Sequence, residues 1–119
     1  IGHGSSDRRA RDAFLYTVNA LKNYFKYVSY CFLELELPNI EEGIKDCLTS
    51  NPKSIVVMPY FLHKGIHIQK DISIDINKAL KKYDFNNLHI AEHIGVDSQI
   101  INLVKSLSEE SENKSGLFR

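Results

Sequence analysis

The sequence predicts a single-domain α/β fold: an open parallel sheet covered by helices on both faces, with a first strand that is cut short. Three observations predict it. Short β-branched or alternating apolar segments recur between longer segments whose apolar residues repeat every third or fourth position, and that alternation, joined by short connections, builds a parallel sheet. The chain has 119 residues, with no internal repeat and no linker to divide it, which is the size of one domain. At 43% hydrophobic and 25% charged residues it is composed like a globular protein rather than a disordered or membrane-embedded one.

Taken in order, Ile1 is expected to close the first strand, because a loop as rich in glycine as GHGSSD, residues 2–7, normally follows one. Ser5, Ser6 and Asp7 are all suited to cap a helix. Ala10, Ala13, Phe14, Val18, Leu21 and Phe25 then recur at helical spacing, giving a first helix to about Tyr24. Residues 27–37 are β-branched and aromatic, then alternating, and are read as a strand. Pro38 fits the first turn of a second helix from Ile40 to about Leu48, with Glu41 and Glu42 where the helix dipole favours acids. Residues 54–58 form a central buried strand that Pro59 ends. Ile68, Ile72, Ile76 and Leu80 mark a third helix to about Lys82, and residues 88–94 make another strand, broken by Gly95. Asp97 or Ser98 caps a last helix with Ile100, Ile101, Val104 and Leu107 on one face. The domain is expected to span residues 1–107, and the polar run 108–119 to form a frayed, flexible tail.

Fifteen Lys and Arg balance fifteen Asp and Glu, which removes the strongest argument for a nucleic-acid partner. An anionic small molecule is still compatible with local basic residues. No apolar run approaches the roughly 18 residues needed to span a bilayer, so no membrane partner is expected. The expected location is the cytoplasm, or an organelle if a targeting segment precedes Ile1. Cys31 and Cys47 lack metal-site or redox spacing and read as reduced thiols in or near the core of an intracellular protein.

The residues that bear chemistry gather in two loops. In an open parallel sheet, ligands sit at the carboxyl ends of strands, and the stretch IVVMPYFLHKGIHIQKD, residues 55–71, runs from such a strand into a loop and a helix. His3, between Gly2 and Gly4, is either a catalytic or metal-binding imidazole brought to a cleft or a surface-loop histidine. His63 and His67 are four apart, but Gly65 separates them, so His63 belongs to the loop while His67 begins the helix. His67 is therefore the better ligand candidate. His89 reads as structural or exposed, and His93 stands nearer the useful strand end. Neither forms a closed set with a cysteine, which argues against a structural zinc site. Glu34 and Glu36 fall on one face of the predicted second strand, where buried carboxylates are costly unless paired, hydrated or used. One would face the cleft and the other solvent. Arg8, Arg9 and Arg11 at a helix start suit an anionic ligand or a plain solvated face.

Together GHGSSDRRA, FLELELPNIEEGI, MPYFLHKGIHIQKDI and EHIGVD, in this order, resemble the small chelatases of the CbiX/SirB type, which insert a divalent metal into sirohydrochlorin. The resemblance runs to about Leu107. It implies a flavodoxin-like, chelatase-type sheet and a half-domain that works as a homodimer in siroheme or cobalamin biosynthesis. It also implies that His3 and His67 handle the metal, with Glu34 lining the same cleft as a proton acceptor. The metal, Fe²⁺, Co²⁺ or Ni²⁺, is then a substrate, and no prosthetic group is expected, since the tail lacks the cysteines that hold an iron–sulfur cluster in some relatives. The chemistry asks for such residues: imidazole holds first-row metals and, with an unperturbed pKa near about 6.5, takes up displaced pyrrole protons. Tyr60, Phe61 and Leu62, with Met58, would flank the macrocycle. Ser5, Arg8, Arg9 and Lys64 would meet its carboxylates. Two rivals stand beside this reading. A phosphoryl-transfer enzyme could use His3, although such enzymes carry an arginine directly before that histidine and Gly2 stands there. A non-catalytic module could bind phosphate or a nucleotide through the backbone N–H groups of the glycine–serine loop.

Overall fold

Asp7 starts the first helix: its carboxylate accepts the Arg9 backbone N–H at 2.9 Å, satisfying a donor that the helix end leaves free. The computed structural model describes residues 1–63, 65–95 and 97–114. Helix α1 covers Arg8–Leu21 and stops short of Tyr24, where a hydrogen-bonded turn from Lys22 to Phe25 takes over. Helix α2, Ile40–Leu48, starts at Asn39, whose side chain accepts the Glu42 N–H. Pro38 therefore precedes the cap instead of sitting in the first turn. Strand β1, Ile55–Val57, leads to helix α3, Ile66–Lys82, then strand β2, Leu88–Ile90, and helix α4, Ser98–Lys114.

The two strands are parallel, with Ile55 opposite Leu88 and Val57 opposite Ile90. Beyond β1 the sheet continues as hydrogen-bonded extended chain. Tyr60 N–H donates to the Ile1 carbonyl at 2.8 Å, Gly2 N–H to Cys31 at 2.9 Å, and Leu33 N–H back to Gly2 at 2.9 Å. Residues 1–3 thus lie between residues 31–34 and 58–60, and the truncated first strand is internal to the fold. The expected strand over residues 27–37 is not formed; only Phe32 makes a bridge, to Gly2. Leu35 adopts a positive φ of 66° and Glu36 N–H turns back to the Glu34 carbonyl. The alternation of residues 32–37 therefore ends in a turn, with Leu35 and Leu37 exposed.

Helices cover both faces. Cys31 points to α2, where a Cβ on Gly43 would come within 2.8 Å of the Cys31 Cβ, so this helix approaches as closely as glycine permits. The next residue, Phe32, points the other way, to Phe14 of α1 at 5.2 Å between rings. Helices α2 and α3 pack on each other and, with β1, enclose Ile40, Ile44, Ile55, Val57, Ile72 and Ile76. At its rim Lys82 and Tyr83 hold the Glu41 carboxyl below its usual range by hydrogen bonding, an exposed contact worth little to stability. Helix α4 runs past Ser108, where a frayed tail is expected, to Lys114. Ser108 Oγ donates to the Val104 carbonyl and Lys105 pairs with Glu109 one turn on, local contacts that suit a solvent-facing helix.

Ile76 is 2% exposed at the centre of the α2–α3 contact. Ile76→Ala should lower the unfolding free energy by about 2–4 kcal/mol, read as a lower urea midpoint at unchanged slope; a loss within error of zero would show that the core does not depend on this packing.

Candidate functional site

A glycine brings the histidine loop against the turn that follows it in the sheet. Gly4 has φ +99°, and a Cβ there would lie 1.8 Å from the Glu34 carbonyl oxygen. No side chain fits, so the backbones of residues 3–4 and 34 close on each other, joined by Glu34 N–H donating to the His3 carbonyl at 3.1 Å. This contact aligns the two side chains as well. His3 Nδ1 stands 3.5 Å from Glu34 Oε1, both about half exposed, and the His3 ring meets Phe61 edge-on at 5.8 Å.

Glu34 and Glu36 do not share a face, because the turn at Leu35 separates them. Glu36 is only 13% exposed and bonded to Arg11 at 3.2 Å, and it accepts the Ser5 N–H at 3.0 Å. Arg11 also reaches the Leu37 carbonyl and lies over the Phe32 ring. Glu36 ties the loop to α1, while Glu34 is left beside His3.

Two clefts meet at His3. One, of about 230 Å³, is bounded by His3, Glu34, Asp71 and Asp75, with Leu33, Ile68 and Ile74 between them. The other, of about 360 Å³, is mainly apolar: Ala10, Ala13, Phe14, Phe32 and Tyr60 surround the Gly2–His3–Gly4 backbone, with Ser5 and Glu36 at its polar side. Among the described residues, the imidazole is the one side chain common to both.

Of the expected site residues, Glu34, Ser5 and Tyr60 gather around His3. Phe61 is 6% exposed and packs edge-on against the His3 ring instead of flanking a ligand. Arg8 and Arg9 are exposed at the start of α1, with Arg9 held by Asp7, and they line neither cleft. Leu62 and His63 are exposed in the loop, and His67 is exposed in the first turn of α3; none of the three lines either cleft. Lys64 lies outside the described residues. Among the described residues no three His, Cys, Asp or Glu side chains come close enough together to hold a metal ion. Asp71 and Asp75 are additions to the site. Their spacing of one helical turn, inside the Ile68–Ile72–Ile76 pattern, was the available signal. His89 is exposed and bonded to Asn87. His93 is partly covered, with Nδ1 3.9 Å from the Glu92 carboxylate, beyond hydrogen-bonding range, and without a hydrogen-bond partner.

The CbiX family model matches residues 1–111. A sirohydrochlorin cobaltochelatase of Sulfurisphaera tokodaii is 33% identical over 108 residues, covering 91% of this chain and 87% of that protein. A cobaltochelatase of Priestia megaterium is also 33% identical over 93% of this chain, which spans only 37% of it. Among solved structures, a CbiX protein of Marinobacter aquaeolei superposes with a TM-score of 0.83 at 22% identity, over 96% of this chain and 94% of that one. The sirohydrochlorin chelatase SirB of Bacillus subtilis subspecies spizizenii, in complex with cobalt, superposes at 0.83 and 26% identity, over 92% of this chain and 47% of that one. The chain therefore matches some relatives end to end and spans less than half of others.

Gly4→Ala should cost about 2 kcal/mol or more, since the new methyl meets a backbone oxygen at an unfavourable φ; an unchanged thermal midpoint would show that the loop does not sit against Glu34. Both cysteines are free, and burial pushes the Cys31 thiol up from 9.0 to about 11. The raised value means that stability is intact below about pH 9 and is lost as pH rises towards 11, because only the unfolded chain ionises readily there. At pH 8 iodoacetamide should leave native Cys31 unmodified and alkylate it in urea. Equal rates in the two states would contradict this burial.

Proposed function

Because the chain belongs to the CbiX family, we propose that it is a sirohydrochlorin chelatase, inserting a divalent metal, Fe²⁺ or Co²⁺, into the macrocycle. The observation that carries the reading is the position of His3, among the described residues the one side chain shared by an aromatic cleft and an acidic one. The apolar ring face of the macrocycle suits the side of Phe14 and Tyr60, and a hydrated cation suits the side of Glu34, Asp71 and Asp75. The imidazole between them binds the metal while it loses water. Once the metal has passed to the macrocycle and freed the imidazole lone pair, the ring accepts one of the two displaced pyrrole protons and Glu34, 3.5 Å away, passes it on, the other leaving to water. Ser5 and the cationic start of α1, Arg8 and Arg9, meet the macrocycle's carboxylates, with Lys64 in the same role. His67 is the second metal-handling histidine on the strength of the family motif.

The metal is a substrate and is released in the product, so the reaction needs no prosthetic group. The chain acts as a homodimer, the assembly that the family resemblance implies for a half-domain chelatase. It works in the cytoplasm, in siroheme or cobalamin synthesis, and among the described residues no helix is long and apolar enough to cross a membrane.

Mixed with sirohydrochlorin and Co²⁺ or Fe²⁺, the protein should change the tetrapyrrole spectrum faster than metal alone. His3→Ala should slow this by about 100-fold or more without lowering the thermal midpoint, and Glu34→Gln should slow it less. Near-normal rates in His3→Ala and His67→Ala would sink the assignment. A phosphatase or a nucleotide binder would leave the spectrum at the metal-only rate. Light scattering should give the mass of two chains.

A further inference from the structure

Among the described residues, one element is left without a partner. From Ile101 to Asn113 every side chain of α4 is exposed, including Ile101 at 63%, Val104 at 57% and Leu107 at 56%. At 100° per residue its apolar residues, Ile100, Ile101, Leu103, Val104 and Leu107, fall within one face of the first three turns, and the polar residues take the rest. That is the pattern of a helix that buries one side, on a helix that buries none. The molecule is correspondingly extended, with a radius of gyration of 16.8 Å and a longest dimension of 57 Å, where a compact chain of this length would have about 13.5 Å.

The sheet carries the complementary vacancy. Ile55 and Val57 of β1 point into the α2–α3 core, while Val56 points to the opposite face and is 65% exposed. Met58, on the same side by alternation, is exposed as well. Helix α1 covers this face over Phe32 and Tyr60 and leaves Val56 bare. An apolar helix stripe and an apolar sheet patch therefore stand on one chain, unused by each other. A second copy satisfies both at once, since a two-fold arrangement makes each contact twice.

We propose that α4 is an exchanged arm: in the dimer, the Ile101–Val104–Leu107 face of each copy packs over Val56 and Met58 of the other. The inference rests on the dimer reading above and goes beyond it in naming the two surfaces. It also gives the arm a function, closing a sheet face that a single chain leaves open.

The test uses full-length chains in a Cys47→Ser background. Val56→Cys, carrying an affinity tag, is co-expressed with untagged Val104→Cys, and the purified protein is treated with a short bis-maleimide. The expected product is a covalent heterodimer, absent when either new cysteine is omitted. The double variant Val56→Cys/Val104→Cys should likewise give covalent dimers rather than internally bridged monomers. Ile101→Glu/Val104→Glu should raise the dimer dissociation constant at least tenfold, by light scattering across a dilution series, with unchanged circular dichroism per residue outside α4. A bridge confined to single chains overturns the exchange, because α4 then covers its own sheet. A dimeric mass with no bridge of either kind also overturns it but leaves the dimer reading standing, whereas a monomeric mass removes both.

Discussion

Three residues hold the site together by being shared. Residues 1–3 donate to and accept from residues 31–34 on one side, and on the other Ile1 donates to Met58 and accepts from Tyr60, so the loop that follows them cannot move independently of either neighbour. Gly4 then lets this loop touch the Glu34 backbone, a contact too close for any other residue. The consequence is preorganisation: His3 and Glu34 are set by main-chain hydrogen bonds and not by each other. Their own 3.5 Å contact is half exposed and would be too weak to position them.

That division of labour explains the two glutamates. Glu36 is covered and has its carboxylate occupied by an amide and a guanidinium, which makes it part of the scaffold. Glu34, two residues earlier, is left with an exposed carboxylate next to an imidazole. A turn with one residue at positive φ is enough to give two chemically identical side chains different work. Phe61 shows the same economy, since it is buried and meets the imidazole edge-on.

The helices were legible in the sequence because their signals are local. Asp7 caps where its position predicts, and the four-residue spacing of isoleucines between Ile68 and Ile76 marks the buried face of α3. The strand predicted over residues 27–37 failed for the opposite reason. Alternation is a local pattern, but whether it becomes a strand depends on a neighbour to pair with, and residues 31–34 pair only with the short segment of residues 2–3 before the turn at Leu35 ends the pairing. Asp71 and Asp75 were overlooked as site residues since, on a helix surface, two acids one turn apart look like ordinary solvated charge until the opposite wall is known.

By itself the sequence determined the α/β class, the order of the helices, the inward faces of α2 and α3, and the two loops from which a site would be drawn. Each of these follows from short-range spacing, capping and the conformational freedom of glycine, which act within a few residues. The tertiary structure alone decided that His3 stands where an aromatic and an acidic cleft meet, that Glu34 and not Glu36 stands beside it, and that α4 projects away from its own sheet. Those outcomes depend on which distant segments become neighbours, and hydrogen bonding and packing between residues thirty or more positions apart leave no periodic trace along the chain.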